Sequence, residues 1–320
     1  MIRYILRRFL LMIPVAFLVT IGVFVLVRLS PADPVLAFSG EERDPAVLAA
    51  MREEFGLNQP MPVQYVAWIT HLAHGDLGRS FQTKERVLEA IVERLPATAE
   101  LGLAAILISV TIALAVGILS AIKRNSFVDI AASSVTLAGI SFPSFFLGIV
   151  LILVFAYVIP GHIFPPGGYT PISENLGDNL RRLVLPAVTL AAGSLAVNLR
   201  QVRSSLLDVF GHDYMRTARA KGLRERTVIT RHALKNALIP VVTLIGIQVG
   251  AIIEGAFITE TIFFWPGIGR LAVTAIPSGD YPVVQGVVLV SAFSFMLTTL
   301  FVDLLYAWLD PRISYETAPA

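Results

Sequence analysis

Six long apolar stretches leave this chain few folds to choose from. They cover about residues 9–29, 97–122, 130–158, 183–199, 238–262 and 283–309. Each is close to or above the roughly 20 helical residues needed to cross a hydrocarbon core. Hydrophobic residues make up 55% of the 320 positions and charged ones 15%, against about 25% charged in ordinary soluble domains. A water-soluble fold would have nowhere to hide so much apolar surface, whereas a lipid solvent removes the problem. The expected fold is an all-α membrane protein with six transmembrane helices. The chain has no cysteine, which excludes disulfides, thiolate catalysis and cysteine metal sites.

The first stretch follows Arg3, Arg7 and Arg8, and Arg7-Arg8-Phe9-Leu10 faintly resembles a twin-arginine signal. Its apolar run is longer than a typical signal core, and Arg28 and Pro31 occupy the place of a small-x-small cleavage site. An uncleaved first helix is therefore expected. Orientation follows from basic residues in short loops. Lys123 and Arg124 follow the second stretch, and residues 201–237 hold eight Lys/Arg against three acids, a net of +5. Both termini, the 2–3 turn and the 4–5 segment are expected in the cytoplasm, with residues 30–96 and the loop near 160–182 outside. Three regions follow: 1–29, the N-terminus and first helix; 30–96, a periplasmic segment with short amphipathic helices; and 97–320, a five-helix core containing the 201–237 segment.

Within the outer segment, Asp44 and Pro45 read as N-cap and first position of a helix that Gly56 stops. A second short helix carries Tyr65, Trp68 and Ile69 and ends at Gly75. Such helices suit the membrane surface or the cap of a pore.

Much chemistry is missing. The lysines are Lys84, Lys123, Lys221 and Lys235, and none follows a glycine, so no phosphate-cradling Gly-x-x-x-x-Gly-Lys-Ser/Thr loop exists. There is no His-Glu-x-x-His motif and no Gly-x-Ser-x-Gly elbow. His71 and His74 lack a third ligand nearby in sequence and read as packing or surface residues. No catalytic and no metal residue is expected. Glu254 and Asp303 lie inside apolar stretches, where an ionisable group is a functional candidate. Glu254, Gln248 and Asn198 either bond a neighbouring helix or line a polar path. Glu100 and Asp129, near stretch ends, are expected to reach the interface.

The most specific segment is the basic one between the fourth and fifth stretches. It reads Asp213-Tyr214-Met215-Arg216-Thr217-Ala218-Arg219-Ala220-Lys221-Gly222-Leu223-Arg224 and continues to Leu238-Ile239-Pro240. The pattern predicts a helix, a turn at Gly222 and a second helix. Ala218 and Ala220 are small enough for a partner to approach closely. The pattern alone fits a docking element and a basic loop on anionic lipid equally well.

This segment resembles the ATPase-coupling motif of type I ABC importer permeases, loosely Glu-Ala-Ala, three residues, Gly, then Ile-x-Leu-Pro. Arg216, Thr217, Ala218 and Gly222 fall on it, with Arg216 where the family has its glutamate. Arg-Thr-Ala-Arg-Ala-Lys-Gly is typical of the dipeptide, oligopeptide and nickel branch. Further resemblance lies in Phe55-Gly56-Leu57-Asn58-Gln59-Pro60, Gly75-Asp76-Leu77-Gly78-Arg79-Ser80-Phe81, Ser141-Phe142-Pro143-Ser144-Phe145 and Glu260-Thr261-Ile262-Phe263-Phe264-Trp265-Pro266-Gly267. The large segment between the first two helices is similar to the first (B-type) permease of such systems.

The resemblance implies a bacterial inner-membrane subunit paired with a second homologous permease, with two ATPase subunits beneath and a solute-binding protein outside. It implies no cofactor on this chain, ATP and magnesium being held by the ATPases, and no nucleic-acid partner. Tyr214, Arg216, Thr217, Ala218, Ala220, Lys221, Gly222 and Arg224 would form the coupling element. Peptide is the expected substrate, with nickel, glutathione and other small solutes as alternatives. Two other classes are kept: a secondary transporter with a proton site at Glu254 or Asp303, and a membrane-embedded enzyme.

Overall fold

The computed structural model describes residues 2–29, 34–39, 44–54, 56–159 and 163–309. Among them the chain is helical apart from loops and one isolated bridge between Arg79 and Arg86. The helices are α1 (Ile2–Arg28), α2 (Pro34–Ser39), α3 (Pro45–Glu54), α4 (Met61–Ala73), α5 (Val87–Ile122), α6 (Phe127–Ser141), α7 (Ser144–Ile152), α8 (Leu176–Phe210), α9 (Asp213–Ala220), α10 (Glu225–Thr227), α11 (Leu234–Ile262), α12 (Ile268–Ala275) and α13 (Tyr281–Leu309). Two π-helical segments, Leu153–Val158 and Val228–Ala233, follow α7 and precede α11.

Five helices are long and apolar enough to span a membrane, and a sixth span exists if α6 and α7 count as one. The third stretch, expected as a single helix over 130–158, is bent by 106° after Ser141. Pro143 is the cause. A residue before proline is pushed out of the helical region, and Phe142 is extended, with φ −84° and ψ 129°. The fourth stretch, expected over 183–199, is a 35-residue helix that runs through Arg181, Arg182 and Arg200. At ~1.5 Å per residue that is about 52 Å, well beyond a hydrocarbon core of about 30 Å. The second begins at Val87 and carries Pro96 within it. Pro96 and the three arginines mark the edges of apolar runs, yet α5 and α8 continue through them.

The chain divides into two compact units: Met1–Thr98 with Pro266–Ala320, and Ala99–Trp265. In the first, α1 packs along α13 and α12 also packs on α13. The short helix α4 does not lie free. Phe17, Thr20, Phe24 and Arg28 recur on one face of α1. Tyr65 meets Phe24 edge-on at 5.3 Å, and its hydroxyl lies 2.8 Å from Thr20 Oγ1. Arg28 Nε donates to Gln64 Oε1 at 2.8 Å. Asp44 caps α3 by accepting from the Ala46 N–H at 2.8 Å, and Gly56 and Gly75 follow α3 and α4 with positive φ.

The same unit contains a buried carboxylate that the sequence did not flag. Asp280, 3% exposed, accepts from Ser80 Oγ at 2.5 Å and from the Phe81 N–H at 2.9 Å. Ser80 Oγ in turn accepts from the Thr83 N–H at 2.9 Å. One charge thereby satisfies a loop of backbone donors that would otherwise be orphaned.

In the second unit α8 is the hub, contacting α6, α7 and α11. Small residues set the spacing. A side chain at Gly117 of α5 would place its Cβ 2.9 Å from Val202 Cβ, and one at Gly139 of α6 would lie 3.1 Å from Ala196 Cβ. Ala113, Ala132 and Leu199 form a small apolar core between these helices. Helices in lipid associate through such close backbone contact.

At the N-terminal end of α8, Glu100 accepts from Tyr169 Oη at 3.0 Å and from Asn179 Nδ2 at 2.7 Å. Burial, then the bond to Glu100, raises the Tyr169 phenol above its usual pKa, so it stays a donor. Tyr169 also meets the fully buried Trp265 edge-on at 4.7 Å. Arg182 binds Asp178 at 2.7 Å and Gly167 O at 2.9 Å, anchoring this end.

Two substitutions test this packing. Asp280→Ala strands the Ser80 and Phe81 donors, and is expected to lower the unfolding midpoint in detergent and expose the 79–86 loop to protease. Gly117→Val overpacks the α5–α8 crossing, with an expected cost of about 1–3 kcal/mol, read as a loss of stability in the same assay.

Candidate functional site

The basic segment 201–237, expected to hold a helix, a turn at Gly222 and a second helix between the fourth and fifth spans, divides into three parts. Residues 201–210 complete α8, burying Val202, Leu206 and Val209. Residues 211–224 form the hairpin, and residues from 225 onward already lead into the next span. The first part is helical because its apolar residues recur at spacings of four and three and find a core to bury in.

That core is one apolar cluster. It joins Ala121 at the end of α5, Val202, Leu206 and Val209 of α8, Met215 and Ala218 of α9, Val228 and Ala233 of the π-helical segment, and Ala237 and Val241 of α11. Met215 and Ala218 are three apart, so α9 shows one narrow apolar face to the cluster. Ala218 is small because it packs inside its own chain. Tyr214, Arg216, Thr217, Ala220, Lys221, Gly222 and Arg224 are all exposed. Seven of the eight residues read as a coupling element are therefore exposed, and the eighth, Ala218, packs into the cluster.

The turn is built locally. Gly222 has φ +75° and its N–H donates to Arg219 O at 2.9 Å. A side chain there would meet nothing within 4 Å, so the requirement is conformational. Arg219 spans the turn to Glu225 with bonds of 2.9 and 3.2 Å. Both groups are exposed, so this pair contributes ~0–1 kcal/mol. Asn236 Nδ2 donates to Tyr214 Oη at 2.9 Å, and Tyr214 stacks on His212 at 5.7 Å. Arg216, where the family motif has glutamate, projects into solvent 3.5 Å from Asp213. The arrangement is a preformed basic knob that can seat in a partner.

Next to the cluster, beside Ala121 and Val202, lies an ion pair that the sequence did not reveal. Asp129 was expected to reach the interface, but it is 4% exposed. Arg203, next to Val202, gives it two bonds, Nε to Oδ1 at 2.6 Å and Nη2 to Oδ2 at 2.9 Å. Ser120 Oγ adds a bond of 2.5 Å and the Asn125 N–H one of 2.9 Å. The carboxylate has four donors from three segments, which offsets the cost of burying it. The available signal was that Arg203 sits one residue from apolar Val202, at a spacing that continues α8.

The three residues considered for a polar path fall differently. Asn198 is 1% exposed and donates to Ser109 Oγ at 3.0 Å, linking α8 to α5. Gln248 is half-buried on α11. The side chains of Glu254 and Asp303 lie outside the described residues. No group of three or more His, Cys, Asp or Glu able to hold a metal occurs among the described residues.

Comparison with known proteins agrees with this architecture. Residues 113–315 match the model of the binding-protein-dependent transport system inner membrane component, and residues 1–102 match the model of the N-terminal part of such membrane components. The chain is 43% identical over 335 residues to the di/tripeptide transport system permease protein DppB of Pseudomonas aeruginosa, covering 99% of this chain and 100% of that one. It is 41% identical over 338 residues to the dipeptide transport system permease protein DppB of Escherichia coli K12, again covering 99% and 100%. It is 40% identical over 316 residues to the glutathione transport system permease protein GsiC of Salmonella typhimurium, with the same coverage. A chain of the inward-facing MetNI methionine ABC transporter shares the fold, with a TM-score of 0.55 at 18% identity, over 70% of this chain and 97% of that one. With a family model covering residues 113–315 and relatives above 40% identity along their whole length, the chain belongs to the inner-membrane permease components of binding-protein-dependent ABC importers.

Proposed function

We propose that this permease forms half of a path for di- or oligopeptides and that its basic hairpin is the seat for a cytoplasmic ATPase. The observation that carries the reading is the hairpin itself: exposed cations on a turn set by Gly222, held on an apolar cluster that reaches α5, α8 and α11. The transporter would consist of this chain, a second homologous permease, two ATPase subunits and an extracytoplasmic binding protein. Both termini and the hairpin would face the cytoplasm, and residues 30–96 the outside, with 97–320 as the permease core. ATP and magnesium would sit on the ATPases, this chain supplying neither cofactor site nor catalytic group. ATPase closure would move the hairpin, and the shared cluster would carry the motion to three helices at once, shifting the population from inward- to outward-facing. Gln248 and Glu254 remain path candidates on α11. Asn198 would instead help hold α8 to α5.

The peptide reading is supported by relatives that are di/tripeptide and dipeptide transport system permeases. A glutathione reading has the support of GsiC at comparable identity. Competition assays separate the two. With the complete transporter in liposomes, excess dipeptide is expected to suppress uptake of a labelled dipeptide more strongly than excess glutathione does. The reverse order assigns the glutathione reading.

The hairpin makes a sharper prediction. Gly222→Pro fixes φ near −65° and removes the N–H bonded to Arg219, while Ala218→Phe overfills the buried seat. Both variants are expected to reach the membrane in normal amount, to co-purify with far less ATPase subunit and to lose most substrate uptake. Survival of both uptake and binding-protein-stimulated ATP hydrolysis would refute the seat.

A further inference from the structure

We infer that the Asp129–Arg203 pair is a positioning link that makes the bent helix α6–α7 follow the hairpin. The argument rests on what else holds α6. Its buried residues are Asp129, Ala132 and Thr136. Phe127, Ile130, Val135 and Leu137 are exposed on it. Ala132 and Gly139 meet α8 with almost no side chain, Gly139 lying where even a Cβ would come within 3.1 Å of Ala196 Cβ. Leu199 and Leu195 of α8 pack against this small-residue side of α6, and apolar packing of this kind is non-directional, so it sets the distance between the helices more firmly than their axial register. Thr136 Oγ1 is turned back on its own helix, bonding Ala132 O at 2.8 Å. Axial register is left to a directional contact, and the bidentate Arg203–Asp129 bond is one: two donors at 2.6 and 2.9 Å cannot slide without breaking.

The location gives that register a use. Arg203 adjoins Val202, which belongs to the cluster that seats α9. Asp129 lies in the first turn of α6 and is bonded by Ser120 and Asn125 from the end of α5 and the following turn. At the other end of α6 comes the 106° break at Phe142–Pro143, beside a cleft of about 600 Å³ whose lining includes Gly139, Phe142 and Leu147 together with Gly193 and Ala196 of α8. A shift of α8 is therefore passed to α6 at its start and appears at the break as movement of α7. In the absence of the pair, the apolar seat would still hold the hairpin, and α8 would slide past α6.

This inference rests on the hairpin being the ATPase seat, and the test separates the two. The complete transporter, with its second permease, ATPases and binding protein, is reconstituted with Asp129→Asn, with Arg203→Asp, and with the swap Asp129→Arg/Arg203→Asp. Asp129→Asn keeps shape and removes the charge. The expected result is normal ATPase co-purification and hydrolysis close to wild type, with substrate taken up per ATP hydrolysed reduced by about tenfold, the scale of losing one charge-assisted bond. The swap is expected to recover part of that ratio relative to Arg203→Asp. An unchanged ratio in assembled Asp129→Asn complexes overturns the link. So does a fall of uptake and hydrolysis strictly in step with the amount of assembled complex, which marks the pair as merely structural. Loss of ATPase binding on Gly222→Pro but not on Asp129→Asn keeps the two readings apart, whereas retained binding on Gly222→Pro removes the seat and the link with it.

Discussion

The second unit depends on how closely α8 can be approached. Gly117 and Gly139 have no side chain at the points where α5 and α6 cross it, and Ala113, Ala132 and Ala196 add little more bulk. In lipid there is no hydrophobic gain from bringing two apolar helices together, so contact area and dispersion must do it. Bulkier residues at these crossings would push the helices apart and take the Asn198–Ser109 and Arg203–Asp129 bonds out of range. Close packing comes first, and the buried polar links become possible because of it.

Those links have a common logic. Buried Asp129 and Asp280 and half-buried Glu100 each accept several donors drawn from segments far apart in the chain. A buried carboxylate is costly alone and tolerable when saturated. Each therefore marks a place where distant segments have to arrive together: α5, α6 and α8 at Asp129, the 80–83 loop and the start of α13 at Asp280, the 169–179 region and α5 at Glu100. The hairpin follows a different rule. It is polar and exposed, and its position comes from Met215 and Ala218 beneath it.

The outline of the helices was legible from hydropathy, and so were the short helices between the first two spans, since Asp44, Gly56 and Gly75 act through local chemistry. The helix–turn–helix course near Gly222 was legible for the same reason: a glycine with positive φ is a local demand. Three features were not. The break at Phe142–Pro143 was hidden because both sides are equally apolar, although the proline was its only local sign. The extension of α8 past Arg200 was hidden because arginines read as loop. The burial of Asp129 was hidden because its partner lies 74 positions away.

The sequence by itself determined that the chain lives in a membrane, that its apolar runs are helical and that its basic segment forms a turn at Gly222, because hydropathy, backbone satisfaction and φ preference are properties of neighbours along the chain. The tertiary structure decided which charges are buried, why Ala218 must be small, and which helices share a register. Those outcomes depend on side chains meeting across the space between helices, and a one-dimensional pattern carries no distance between residues such as Asp129 and Arg203.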